Sequence, residues 1–201
     1  MKKVFQKIYN LALPYQDKRN DKGHAKVVMD FAFKILNYKD ADEAIVIPAA
    51  ILHDVGWSQI SEKERMKLFD TKLWSKKDQI IRECHQYEGV RVAKEILEKI
   101  NYNPENIKVI LEIISEHDTR KNPISEEDKI VKDADKLWMF SPEGFKADLF
   151  RRKIKPVDWI KVLQSVIGSK KFFTDTAALI AKEELEKRAK EYNDLGNLTL
   201  K

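Results

Sequence analysis

Three features of this 201-residue sequence predict an all-α fold, a single-domain helical bundle. Apolar residues recur at i, i+3 and i+4 along most of the chain, and glycine is scarce, with six in all. No stretch alternates Val, Ile or Thr with polar residues as a half-buried strand does.

Each element can be justified in turn. A helix opens near Gly23, striped by Val27, Val28, Phe31 and Ile35. The next runs from about Asp42 to Asp54 through Ile45, Ala49 and Leu52, with Pro48 either kinking it or marking its first turn. Ser75-Lys-Lys-Asp78 has the form of a capping box with Asp in place of Glu, opening a segment through Ile80, Ile81 and Cys84. A further segment, Glu88 to Ile100, carries Val92, Ile96 and Leu97. Asn103-Pro104 pairs a cap with a proline at the first helical position, ahead of Ile107, Ile110, Leu111 and Ile114. Ser125 caps a helix with Ile130, Val131, Ala134, Leu137 and Trp138 on one face. Pro156 starts another through Trp159, Ile160 and Leu163, and Phe173, Ala177, Ile180, Ala181 and Leu185 belong to a long terminal helix. No repeat, low-complexity tract or Gly/Ser linker divides the chain, so residues 1–201 are expected to form one domain.

Composition excludes several classes. Lysine and arginine exceed aspartate and glutamate by 38 to 33, a net charge of +5, with the two signs interleaved as on a solvated helical surface. The basic cluster Arg151, Arg152, Lys153 and Lys155 is short and lacks interleaved aromatics, so no nucleic-acid partner is expected. The surplus suits small anions, phosphates among them. The longest nearly apolar run, Ala44 to Leu52, is broken by Pro48 and is far short of the roughly 20 residues of a bilayer-spanning helix. The N-terminal MKKVFQKIYNLALPY lacks the continuous apolar centre of a signal peptide, so a cytoplasmic location is expected. Cys84 stands alone, which rules out an intramolecular disulfide and a thiolate-cluster zinc site.

Chemistry concentrates in the four histidines, His24, His53, His85 and His117, each expected at or near the end of a different helix. Converging from four helices, they would form a metal site in a bundle core. Any one of them alone would more often be a hydrogen-bonded core residue. His53 is followed at once by Asp54, and mixed nitrogen and oxygen donors suit a divalent ion that keeps a labile water. His117 closes the Ile107 to Ile114 stripe and points toward the core. An acidic pair, Asp133 and Asp135, lies farther along. These two diverge by about 160° around a helix, so one ion is not expected to take both, and periodicity does not choose between them.

At these residues the sequence resembles the HD superfamily of metal-dependent phosphohydrolases, whose pattern is a histidine, a His-Asp doublet and a distal aspartate. The matching pieces are Gly23-His24 with Val27 and Val28, Ala49-Ala-Ile-Leu-His53-Asp54-Val-Gly56, and Val131-Lys-Asp-Ala-Asp135-Lys-Leu137. The resemblance covers about residues 15–140, with helices from 141 to 201 completing the domain. It implies His24, His53, Asp54 and Asp135 as ligands of a first ion, since the family's aspartate is the one followed by Lys or Arg and Leu. Asp133 then becomes a helix-surface carboxylate or a group behind the ligands. Relatives with two ions carry extra histidines between the doublet and the last aspartate. His85 and His117 are therefore expected to serve a second ion or the substrate phosphate; a one-ion member would use them as a general acid or phosphate donors. Asp118, in a second His-Asp dipeptide without the Val-Gly continuation, is expected to be a helix-end or loop carboxylate.

The implied chemistry is hydrolysis of a nucleotide or other small phosphate ester by metal-activated water, with Asp54 bridging two ions or orienting the water. Mn, Fe, Mg, Co and Ni all tolerate such ligands, as one ion or two. Arg19 and Arg120, near His24 and His117 in the chain, are candidate phosphate ligands. Lys136, beside Asp135, is a candidate for a structural ion pair. Gly56 to Ser75, with Trp57 and Trp74, would either cap the substrate or fill the rim of the bundle. Two other functions stay open: a di-iron oxygenase on the same six ligands, and a metal-stabilised nucleotide-binding module without catalysis. Oligomer formation is compatible with all three.

Overall fold

The computed structural model describes residues 1–69 and 76–198, and among them all regular structure is helical. Helix α1 (Lys3–Ala12) buries Phe5, Ile8 and Ala12 along one stripe and ends at a turn built on Pro14. Its apolar positions stand among lysines, and that mixture is the amphipathic pattern of a surface helix. Helix α2 (His24–Leu36) starts from Gly23 at φ +81°, left-handed backbone that favours glycine. A side-chain carbon at Gly23 would meet nothing within 4 Å, so the torsion rather than space calls for glycine.

Helix α3 (Glu43–Leu52) is the centre of the molecule, packed by α1, α2 and two later helices. Asp42 caps it by accepting from the Ala44 N–H, and every residue from Val46 to Leu52 is buried. Pro48 lies inside the helix, where its missing N–H leaves the Ala44 carbonyl without its usual partner. The Tyr102 hydroxyl fills that gap, donating to Ala44 O at 2.7 Å. The helix ends at Leu52, slightly short of the expected Asp54, and His53 is its C-cap.

A tight turn, Val55–Gln59, leads into a short helix α4 (Glu62–Lys67), capped by Ser61. The expected Ser75 capping box and Trp74 lie outside the described residues. Helix α5 (Lys76–Lys99) is continuous. The sequence pattern splits it near Cys84 to Glu88, because buried His85 and Gln86 interrupt the apolar stripe; the structure runs one helix through them. His85 therefore sits in mid-helix rather than at an end. Gly56 lets the 55–59 turn press against this helix: a side-chain carbon there would lie 1.9 Å from His85 O and 2.4 Å from Gly89 N.

Helix α6 (Pro104–Ser115) starts at the Asn103 cap, whose side chain accepts from the N–H groups of Glu105 and Asn106. Helix α7 (Glu126–Leu137) has the Ser125 cap and the predicted buried face of Ile130, Val131, Ala134 and Leu137. After the Trp138–Phe140 turn come α8 (Pro142–Arg152), α9 (Pro156–Gly168) and α10 (Asp175–Leu198). Helix α8 escapes the apolar-period reading because its buried residues include Gly144, Asp148 and Arg151. Phe173 lies ahead of α10, not in it. Helix α10 packs on α9 and α7, and one apolar cluster runs from Phe5 to Leu185. No helix among the described residues is long and apolar enough to cross a membrane.

Candidate metal centre

The elements around α3 deliver their polar ends to one place. His24 is the first residue of α2, and His53 and Asp54 leave the C-terminus of α3. His85 comes from the middle of α5, His117 from the turn after α6, and Asp135 from the last turn of α7. His53 and His85 are fully buried, His24 and His117 nearly so, and Asp135 is about one-third open to solvent.

Two clusters result, with Asp54 between them. On one side, Asp54 Oδ2 is 3.3 Å from His24 Nε2 and 3.6 Å from His53 Nε2. Asp135 Oδ1 is 3.2 Å from His24 Nε2 and 3.3 Å from His53 Nε2, and the two ring nitrogens are 3.1 Å apart. On the other side, Asp54 Oδ1 is 3.3 Å from His117 Nε2 and 3.7 Å from His85 Nε2, which are themselves 3.3 Å apart. The two oxygens of one carboxylate thus face two separate groups of imidazoles.

The protonation pattern shows what such groups can hold. His53 Nδ1 lies 2.9 Å from Ala50 O, and His117 Nδ1 lies 2.9 Å from Ile114 O, so each donates its Nδ1 proton to a backbone carbonyl. Each Nε2 is then a bare lone pair aimed at carboxylate oxygens, a repulsive contact unless a cation stands between. Donor separations of 3.1 to 3.7 Å are those of ligands around one ion with bonds of about 2.0–2.2 Å. All donors are nitrogen or oxygen, as hard and borderline divalent ions prefer. The residues fit a metal in both clusters.

Without an ion, a proton takes that role. Burial opposes charging His53, but the carboxylates of Asp54 and Asp135 outweigh it and raise its pKa to about 9. Burial likewise works against ionised Asp54 and Asp135. The Arg19 guanidinium and the imidazoles overcome it at Asp54, hydrogen bonds from His24 and His53 do so at Asp135, and both pKa values fall well below the usual carboxylate range. Burial dominates at His85 and pushes its pKa down to about 3, leaving a neutral imidazole.

Trp57, from the turn that Gly56 seats against α5, supports both halves. Its indole N–H donates to Asp54 Oδ1 at 3.0 Å, and its ring stacks on His85 at 3.8 Å between centroids and 9° between planes. The Arg19 guanidinium lies 4.5 Å from the same ring and donates to Asp54 Oδ2 at 2.5 Å, with its Nε 3.3 Å from Asp21. Trp57 is therefore buried beneath the site rather than lying over it or at its rim.

The other candidates fall differently. Arg120 reaches the same cleft but is engaged by Glu116 at 2.9 Å and the buried Asp128 at 3.4 Å. Asp133 is neither a surface carboxylate nor a support for the ligands. It is fully buried and accepts from the Phe173 and Thr174 N–H groups and the Thr174 hydroxyl, tying the start of α10 to α7. Lys136 makes no ion pair among the described residues; it donates to Lys171 O and lies over the Phe172 and Phe173 rings. Asp118 is a loop carboxylate as expected, but it also lines the cleft, accepting from Arg82 at 2.7 Å and standing 3.7 Å from His85 Nε2.

Sequence reasoning missed Arg82 and Lys132. Arg82 stands one helical turn before His85 on α5, a periodicity signal that was there to be read. Lys132 donates to the carbonyls of Glu116 at 3.2 Å and His117 at 2.6 Å, fixing the turn that carries His117. The cleft above the clusters has a volume of about 430 Å³ and is lined by seven arginines and lysines, with Phe69, Trp138 and Phe173.

A family model described as HD domain matches residues 22–139. No curated protein and no solved structure matches the chain.

Proposed function

The chain belongs to the HD-domain family, and from that membership and the geometry above we propose that it is a metal-dependent phosphohydrolase acting on a nucleotide or similar small phosphate ester. The observation that carries the reading is Asp54, whose Oδ2 faces His24 and His53, the two imidazoles that Asp135 Oδ1 also meets, while its Oδ1 faces His85 and His117. His24, His53, Asp54 and Asp135 would hold one divalent ion, and Asp54, His85 and His117 a second. Such ions supply a water ionised near neutral pH and take up negative charge on the phosphoryl oxygens. Mn, Fe, Mg, Co and Ni remain the candidates.

The chain's own residues do the rest. Arg19, braced by Asp21 and the Trp57 face, presents its guanidinium at the mouth of the Asp54 cluster and would donate to two phosphoryl oxygens. Arg82, held toward His85 by Asp118, places a second guanidinium on the far side. Trp57 keeps the Asp54 carboxylate in one rotamer, so both oxygens stay aimed at their clusters. A cleft of about 430 Å³ is the size of ordinary small-ligand sites, and Phe69, Trp138 and Phe173 offer apolar faces for a base or other organic group. Arg120, already spanned by two carboxylates, is assigned to holding the His117 turn rather than to phosphate.

Purified protein loaded in turn with Mn²⁺, Co²⁺, Fe²⁺ and Mg²⁺ tests this against nucleoside phosphates and p-nitrophenyl phosphate. Phosphate release that is lost on chelation is expected. Inertness of metal-replete protein across the panel would overturn the reading. The six residues, four of them grouped around Asp54 with Asp135 against His24 and His53, also favour a second reading, a di-iron oxygenase, which predicts iron-dependent oxygen consumption. Nucleotide binding without turnover would point to a non-catalytic module.

A further inference from the structure

The cations of the cleft are not evenly compensated. Near the two His/Asp clusters, Arg82 meets Asp118, and Arg19 and Arg120 meet two carboxylates each. On the side lined by α8 the balance changes. Arg151 and Arg152, from α8, share one carboxylate: Asp148 Oδ1 is 2.7 Å from Arg151 Nη2 and 3.5 Å from Arg152 Nε. Asp21, 3.7 Å from Arg151, is already shared with Arg19. Lys136 faces the same cleft; among the described residues no carboxylate makes a direct ion pair with it, although Asp133 and Asp135 lie near enough to favour its charge, and its ammonium is held by a neutral carbonyl and two aromatic faces. Arg151 and Arg152 therefore have one carboxylate between them and a share of Asp21, so this side of the cleft keeps a cationic surplus that draws anions.

The geometry also preorganises this wall. The Arg151 guanidinium stacks 4.4 Å from the Phe69 ring centroid, and Arg152 lies between Phe69 at 5.6 Å and Trp159 at 5.1 Å. Arg151 is nearly buried and anchors the arrangement, whereas the Arg152 side chain is 41% exposed. These two arginines lie outside the residues that match the family model. Guanidiniums stacked on aromatic rings keep their N–H edges free for an anion, and lose little freedom on binding one.

We propose that the substrate carries two anionic groups: a phosphoryl group at the metal clusters, and a second phosphate or carboxylate held by Arg152 and Lys136 with Arg151 behind them. This rests on the phosphohydrolase reading for the first group only. The second group is recognised by charge and stacking that α8 adds to the cleft, and it sets which phosphate esters are chosen.

The test compares one-anion and two-anion probes on metal-loaded protein. The probes are p-nitrophenyl phosphate on one side, and ADP, adenosine 3′,5′-bisphosphate and fructose 1,6-bisphosphate on the other. Wild-type kcat/KM should favour at least one two-anion probe by about tenfold or more. Arg152→Gln should cut that preference about tenfold through KM, and Arg152→Glu should abolish it; equal ratios in wild type and Arg152→Glu would overturn the proposal. Calorimetric titration of adenosine 3′,5′-bisphosphate into metal-free and metal-loaded protein gives a readout free of turnover. Heat that Arg152→Glu and Lys136→Gln each diminish supports the subsite, and binding indifferent to both refutes it. If no probe is hydrolysed yet calorimetry shows Arg152-dependent binding, the hydrolytic reading fails and the two-anion site stands.

Discussion

Asp54 is the residue on which both halves of the site depend, because each of its oxygens faces a different pair of imidazoles. Asp54→Ala should therefore release metal from both clusters and lower kcat/KM by more than about a hundredfold, the scale seen when charge-stabilising groups are lost. His85→Ala should release one ion and leave the other, which elemental analysis of the two variants will distinguish. Trp57→Phe keeps a ring against His85 but removes the N–H on Asp54 Oδ1, and metal affinity should fall about 10- to 100-fold.

Protonation gives a further residue-scale prediction. Metal-free folded His53 has a pKa raised to about 9, above its ordinary 6.5, so its contribution to stability is fully present below about pH 6.5 and is lost as pH rises through 9. Buried His85 is lowered to about 3, so the unfolded chain takes up a proton there that the folded chain does not, and stability falls as pH drops from 6.5 toward 3. With Asp54 and Asp135 depressed, a further loss accompanies acidification through the carboxylate range. Urea titrations of metal-free protein should show a maximum near pH 6.5, and apparent metal affinity should rise with pH up to about 9, because the ion must displace the His53 proton. A flat profile would remove His53 from this role. At this scale the sequence named the six side chains that meet, through their local motif context. It was silent on which oxygen faces which ring and on Arg82 and Lys132, and it put Trp57 over the substrate or at the rim instead of beneath Asp54 and His85, because those relations arise only when helices distant in sequence pack together.

At the scale of elements, the acidic pair of α7 shows how one helix serves two ends. Asp135 faces the histidines, while Asp133, on the opposite side, accepts hydrogen bonds from the residues that start α10. Asp133→Ala leaves those buried N–H groups without an acceptor and should cost about 1–3 kcal/mol in chemical denaturation. Asp135→Ala should instead lose metal, and in the metal-free protein it should shrink the stability change through the carboxylate range that its depressed pKa contributes. Periodicity separated the two faces of α7 but did not label them, since the label depends on where α10 begins. The same limit explains α5: the sequence pattern divides it where His85 and Gln86 replace apolar residues, and those polar residues are buried because they serve the site and its neighbouring loop. Gly56→Ala would drive a methyl group into the α5 backbone and should destabilise the fold by at least about 1–3 kcal/mol. Helix α3 was legible apart from its last two residues and the choice between a first-turn and an interior place for Pro48, which is interior; the Tyr102 hydroxyl that compensates the proline was not legible, being 58 residues from Ala44.

For the whole molecule, the all-α HD-domain fold places α3 at the centre and the two His/Asp clusters at its C-terminal end. The helices after residue 140 add α8 to the cleft wall and close one continuous apolar cluster around α7 and α10. Helices α9 and α10 were expected from the sequence, but α8 and its contribution to the cleft were not, because Arg151 and Arg152 read there as a short basic cluster without interleaved aromatics. The central claim is that two ions share the Asp54 carboxylate. Crystals of protein loaded with Mn²⁺, measured for anomalous scattering, test it most directly. Two peaks are predicted, one bounded by His24, His53, Asp54 and Asp135 and the other by Asp54, His85 and His117; no peak between these donors, or manganese bound only elsewhere, would contradict the account.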